Sequence, residues 1–109
     1  MTEEKTVLCG ANSYTQKFYF NQEFAGLPEQ VRQELQIMCV MFTEDVGGIL
    51  TVEFREDGTL TLSVSSEPSD YLFDEIGSEL KIRQLQREKE ELFGQLETYF
   101  RIVVLGEDA

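Results

Sequence analysis

Six consecutive positions, Cys9-Gly10-Ala11-Asn12-Ser13-Tyr14, bring together a thiol, an amide, a hydroxyl and a phenol. Such a set could serve nucleophilic chemistry if a base stood nearby, because Cys and Ser attack well only when their proton is taken. The chain contains no histidine, the commonest general base. No cation or helix start stands beside Cys9 in sequence to lower its pKa. The residues therefore read as a strand end and a turn, and no catalytic residue is assigned. Cys9 and Cys39 are expected to be free thiols, since neither belongs to a C-x-x-C pair.

The second chemistry to weigh is a hard cation on carboxylates. Asp70 and Asp74, and Glu75 and Glu79, are i,i+4 pairs that one helical face could present to Mg²⁺ or Mn²⁺. With 21 acids in 109 residues such pairs arise by chance, and no second helix carries a matching pair. They read as a solvated face, with a metal site as the weaker alternative. No cofactor is implied. Gly47-Gly48 follows a helix and precedes a strand, the reverse of the order that aims a helix dipole at phosphate, and reads as a helix C-cap. Met38 and Met41 lie on an apolar helix and read as core rather than as an adaptable binding surface.

Charge narrows the partners. The formal net charge is −12, which opposes nucleic acid and anionic membrane surfaces. Residues 81–89, KIRQLQREK, hold four of the nine bases and one acid, so they carry +3 while the remainder carries −15. Glu79–Arg83 and Arg87–Glu91 are favourable i,i+4 pairs, and the segment suits docking on an acidic surface, a second copy of the chain included. No run reaches the roughly 18 apolar residues of a membrane span. The acidic opening MTEEKTVLCG does not read as a secretory leader, so a cytoplasmic location is the expectation.

These residues must be positioned by a single domain, residues 1–109, large enough for its own core. Thr6–Cys9 and Tyr14–Phe20 read as paired strands around a Gly10–Ser13 turn. Gly26-Leu27-Pro28-Glu29 opens a helix whose stripe is Val31, Leu35, Met38, Phe42 and Val46. Within it, residues 37–42 (IMCVMF) are apolar all round, which predicts cover on more than one side. Leu50, Val52 and Phe54 then alternate against Leu60, Leu62 and Val64. A three-residue loop Glu56-Asp57-Gly58, with Gly58 as the left-handed bulge residue, keeps both apolar faces together, and a two-residue turn does not. The other face, with Thr51, Glu53, Thr59, Thr61 and Ser63, reads as solvated.

Asp70 is the expected N-cap of a long C-terminal helical region. Leu72, Ile76 and Leu80 make one stripe in it. Ile82, Leu85, Leu92, Leu96, Tyr99 and Val103 make another, a heptad-like seam with Lys89 at an inner position. One straight helix over 70–104 would be about 52 Å long, against about 35 Å for a compact body of this size. The helix therefore breaks, at Gly77 or Gly94, or it projects to meet a partner. Residues 102–105 are β-prone but follow no turn signal, so helix is favoured there over a fifth strand. The fold class is α+β in the order ββαββα, a mostly antiparallel sheet of four to five strands with helices on one face.

The run ELQIMCVMFTEDVGGILTVEF (34–54), preceded by CGANSY and followed by DEIGSELKI, resembles a small uncharacterised bacterial family of about 110 residues. That resemblance covers nearly the whole chain and implies no activity, ligand or site residue. The strand–strand–helix order is similar to longin- and roadblock-type interaction modules, at the level of fold alone. Three functions follow in order of expectation. The first is a non-enzymatic interaction module forming a homodimer across the seam Ile82, Leu85, Leu92, Leu96, Tyr99 and Val103. The second is a small acidic chaperone or adaptor for another protein or peptide. The third is a hydrolase with a hard metal at the carboxylate pairs.

Overall fold

Alternating apolar residues, one capped helix and a helical C-terminal third resolve into β1 (Thr6–Asn12), β2 (Lys17–Phe20), α1 (Glu29–Val46), β3 (Ile49–Phe54), β4 (Leu60–Ser65), α2 (Glu75–Glu88) and α3 (Glu90–Tyr99). The computed structural model describes residues 5–107. A 3₁₀ turn at Gln22–Phe24 precedes α1, and α3 runs on into a π-helical turn at Phe100–Val104. The class is α+β as the pattern requires, and the sheet among the described residues has four strands, all antiparallel, in the order β2-β1-β3-β4. The β-prone stretch 102–105 adds no fifth strand.

Register follows the hydrophobic pattern. Phe54 pairs with Leu60, Val52 with Leu62 and Leu50 with Val64, so all six side chains share the face under the helices. The loop is Glu56-Asp57-Gly58: the Arg55 amide bonds to the Thr59 carbonyl at 2.8 Å, and Gly58 has φ +92°. Asp57 accepts the Thr59 amide at 2.9 Å, a bond that, with the Thr59 hydroxyl, holds its carboxyl below the ordinary range. On the opposite face Thr51, Glu53 and Thr61 are half-buried, while Thr59 and Ser63 are exposed.

The first hairpin differs from expectation. β1 runs through Gly10 to Asn12, and the turn is 13–16 rather than 10–13. Gly10 is a strand residue because a Cβ there would lie 2.7 Å from the Leu50 carbonyl oxygen of β3. The turn is made by Asn12, whose Oδ1 accepts the amides of Tyr14 and Thr15 at 2.9 and 3.2 Å. A bulge between Val7 and Cys9 turns both Leu8 and Cys9 into the core.

α1 lays Leu35, Met38, Cys39 and Phe42 on the sheet, and Gly47 (φ +83°) ends it with its amide on the Thr43 carbonyl at 2.8 Å. The Sγ atoms of Cys9 and Cys39 meet at 3.8 Å where α1 crosses β1. Phe24, Phe54 and Phe100 stack at the other end of the core, the last two with centroids 4.4 Å apart.

The C-terminal region breaks at neither glycine. Gly77 lies in the first turn of α2, where a Cβ would collide with the capping carboxylate of Asp74, and Gly94 faces open solvent within α3. The break is at Lys89 (φ −109°, ψ 21°), whose Nζ reaches Glu34 of α1 at 3.3 Å. A straight helix from Glu75 to Val104 would be about 45 Å long, as long as the described body, which measures 46 × 36 × 25 Å. Turning at Lys89 lets Leu92, Phe93, Leu96 and Phe100 reach the core.

Candidate functional site

The three sets of residues singled out by type and spacing are used for structure. Cys9 and Cys39 are both fully buried, and the thiol of Cys9 is pushed far above its ordinary range by its hydrogen bond to Cys39 and then by burial. Such a thiol is no nucleophile at neutral pH. Tyr14 leaves the turn to donate its hydroxyl to Asp70 Oδ2 at 2.6 Å, and it accepts the Glu67 amide at 3.2 Å. The carboxylate of Asp70 raises the phenol's pKa and keeps it protonated, and the bond ties the first hairpin to the connector before α2.

The carboxylate pairs are separated by task. Asp70 also accepts the Leu72 amide, and the N-cap of α2 is Asp74, not Asp70, through the Gly77 amide at 2.9 Å. Among the described residues no group of three or more His, Cys, Asp or Glu side chains is placed to hold a metal ion. Asp74, Glu75 and Glu79 are exposed around the first two turns of α2.

The interface residues expected on the C-terminal seam divide into two groups. Leu92 and Leu96 are buried in the chain's own core, with Ile82, Leu85 and Tyr99 packed against it; Val103 alone of the six is exposed. The seam is therefore largely consumed by the fold-back at Lys89. A different stripe is left open. Tyr71, Leu72, Ile76 and Leu80 are 92, 95, 77 and 59% exposed, on the connector and the outer face of α2. Arg83 and Arg87 continue that face by further steps of three and four and are exposed. The stripe Leu72-Ile76-Leu80 was legible in sequence; its pairing with Arg83 and Arg87 required the seam to be seen facing inward.

A second surface lies between α1 and α2, which run antiparallel. Lys81 reaches Asp45 at 2.9 Å at one end, and Lys89 reaches Glu34 at 3.3 Å at the other. These ion pairs across helices use two of the four bases of 81–89, where sequence spacing suggested the intrahelical pairs Glu79–Arg83 and Arg87–Glu91. The groove between them has a volume of about 940 Å³ and is floored by Met38, Phe42 and Leu85. Ile37 and Met41 form one wall and are each more than half exposed. The apolar stretch 37–42 is thus covered on the sheet side and bare on this flank, and Met41 is not core.

Among the described residues no helix is long and apolar enough to cross a membrane. Residues 5–108 match a family described as a family of unknown function (DUF6145). No curated protein and no solved structure matches the chain.

Proposed function

We propose a function for the chain, which belongs to DUF6145, a family of unknown function: it is a non-enzymatic protein–protein interaction module that self-associates through the outer face of α2. The observation that carries this reading is the exposed apolar stripe of Tyr71, Leu72, Ile76 and Leu80. Charge along the same helix is self-complementary. Its first half carries Asp74, Glu75 and Glu79, and its second half Arg83 and Arg87. An antiparallel pairing about a two-fold axis near Lys81 sets Glu79 opposite Arg83 of a second copy, and Glu75 opposite Arg87. Two-fold pairing uses every favourable contact twice. Each aliphatic or aromatic side chain gains about 1.5–3 kcal/mol on full burial, set against the loss of translational and rotational freedom. With this axis Leu80 meets its own copy at the centre and Ile76 lies over the aliphatic stems of the second copy's Arg83 and Arg87; that apolar contact supplies affinity, and the charges set orientation and salt dependence.

Sedimentation velocity tests this reading. At about tens of micromolar the protein should run as a dimer, and Ile76→Asp with Leu80→Asp as a folded monomer. Folding should survive because both side chains already face solvent. A monomeric wild type, or a dimer that ignores the double substitution, would contradict it.

A further inference from the structure

The groove between α1 and α2 lies on a different side of α2 from the stripe and asks for a different occupant. We infer that it is a docking site for a basic amphipathic helix of another protein.

The shape suits a helix. From Gln30 to Asp45 the groove follows α1 for about 22 Å, the length of roughly four helical turns. Its volume of about 940 Å³ lies at the upper end for compact ligands and suits an elongated one. The apolar surface within it is concentrated on Ile37, Met38, Met41, Phe42 and Leu85, so a guest would present anchors at i, i+3, i+4 and i+7. Two of the five are methionines, whose unbranched, polarisable side chains adapt to guests of differing sequence.

Charge selects a basic guest. The lining includes the acids Glu34, Glu44, Asp45 and Glu88 against the bases Lys81 and Lys89. Both lysines are already held by acids of α1, at Asp45 and Glu34. Glu44 and Glu88 remain exposed on opposite rims. The Glu88 carboxylate accepts the Gln84 side-chain amide one turn away on its own helix, a neutral donor that leaves its charge in place. The whole chain adds a field of formal charge −12. That field steers a cationic guest into the groove and disfavours an acidic one there.

The test uses a labelled helical peptide of about 18 residues with a leucine stripe flanked by lysines, beside a counterpart in which glutamates replace the lysines. Anisotropy at physiological salt, with the Met38 and Met41 methyl resonances followed by NMR, reports binding. The lysine peptide should bind saturably and shift both methyls. Ile37→Gln with Met41→Gln should weaken it at least tenfold without changing the melting temperature, and Leu80→Asp should leave it intact. Binding that survives the double substitution would mean general attraction to an acidic protein. That result, equal binding of the glutamate peptide, no binding, or loss on Leu80→Asp would each overturn the inference. A monomeric wild type that still binds the lysine peptide at Ile37 and Met41 would leave the inference standing and remove only the self-association reading.

Discussion

Replacing Gly58 by valine tests the register that places the whole sheet. At φ +92° the residue occupies backbone space that an L side chain resists. A left-handed conformation costs about 1–2 kcal/mol for a residue with a Cβ, and a β-branched residue sits at the upper end. Loss of glycine's freedom in the unfolded chain offsets about 0.4–1 kcal/mol of that. A Cβ at Gly58 would approach Arg101 Cγ to 2.9 Å, near the root of that side chain, so Arg101 must shift and adds to the cost, while Phe100 Cδ1 is at an ordinary 3.6 Å. The net backbone loss for Gly58→Val is therefore about 1–1.6 kcal/mol. At a urea slope of roughly 1–3 kcal/mol per molar, the unfolding midpoint should fall by about 0.3–1.6 M. Asparagine tolerates positive φ better than valine, so Gly58→Asn should lose clearly less. Equal losses for Asn and Val would place the penalty in crowding by Arg101. An unchanged midpoint for valine would refute the three-residue loop.

The other predictions concern the thiol pair, the C-terminal helix and the tether. Cys9 has its pKa raised in the folded state, by the Cys39 hydrogen bond first and burial second. Its contribution to stability should be complete below about pH 9 and decline above it, where the unfolded chain loses its thiol proton first, at about 1.4 kcal/mol per pH unit. Urea midpoints at rising pH, compared with Cys9→Ala, would show the difference, and identical slopes would contradict it. Gly94→Ala should raise stability by about 0.5–1 kcal/mol, because Gly94 is an ordinary helical position facing solvent rather than a hinge. A loss in thermal melting would return the hinge to Gly94. Tyr14→Phe removes the acceptor of the Glu67 amide, so hydrogen exchange at Glu67 should speed up while β3 and β4 stay protected. Unchanged exchange at Glu67 would mean that the tether does not hold the connector.

Local chemistry was readable wherever it agreed with packing. Alternation across 50–64 admits one register that keeps Phe54, Val52 and Leu50 on one face, and Pro28 and Gly47 punctuate α1 at its two ends. Gly10 misleads because glycine serves two purposes. Beside Asn12 and Ser13 it resembles a turn, yet its lack of a Cβ is needed where β1 passes the Leu50 carbonyl. The break at Lys89 has no sequence signal, since Lys is a good helix former and no Gly or Pro is near it. Tertiary packing bends the helix there, because the bend brings Leu92, Phe93, Leu96 and Phe100 onto the core. The same bend explains the misplaced surface. A heptad-like seam looks alike whether it meets a partner or folds back, and only the fold-back leaves Ile76 and Leu80 outside with Leu92 and Leu96 inside.

Self-association through the outer face of α2 is tested most directly by one new thiol at its centre. Both native cysteines are buried, so Leu80→Cys adds the one accessible thiol. Antiparallel pairing near Lys81 brings residue 80 of each copy within disulfide reach. Mild oxidation at about tens of micromolar should convert the protein to a covalent dimer that runs at twice the monomer mass on a non-reducing gel and reverts on reduction. An introduced thiol that labels freely with a maleimide while no cross-linked dimer forms would contradict the account.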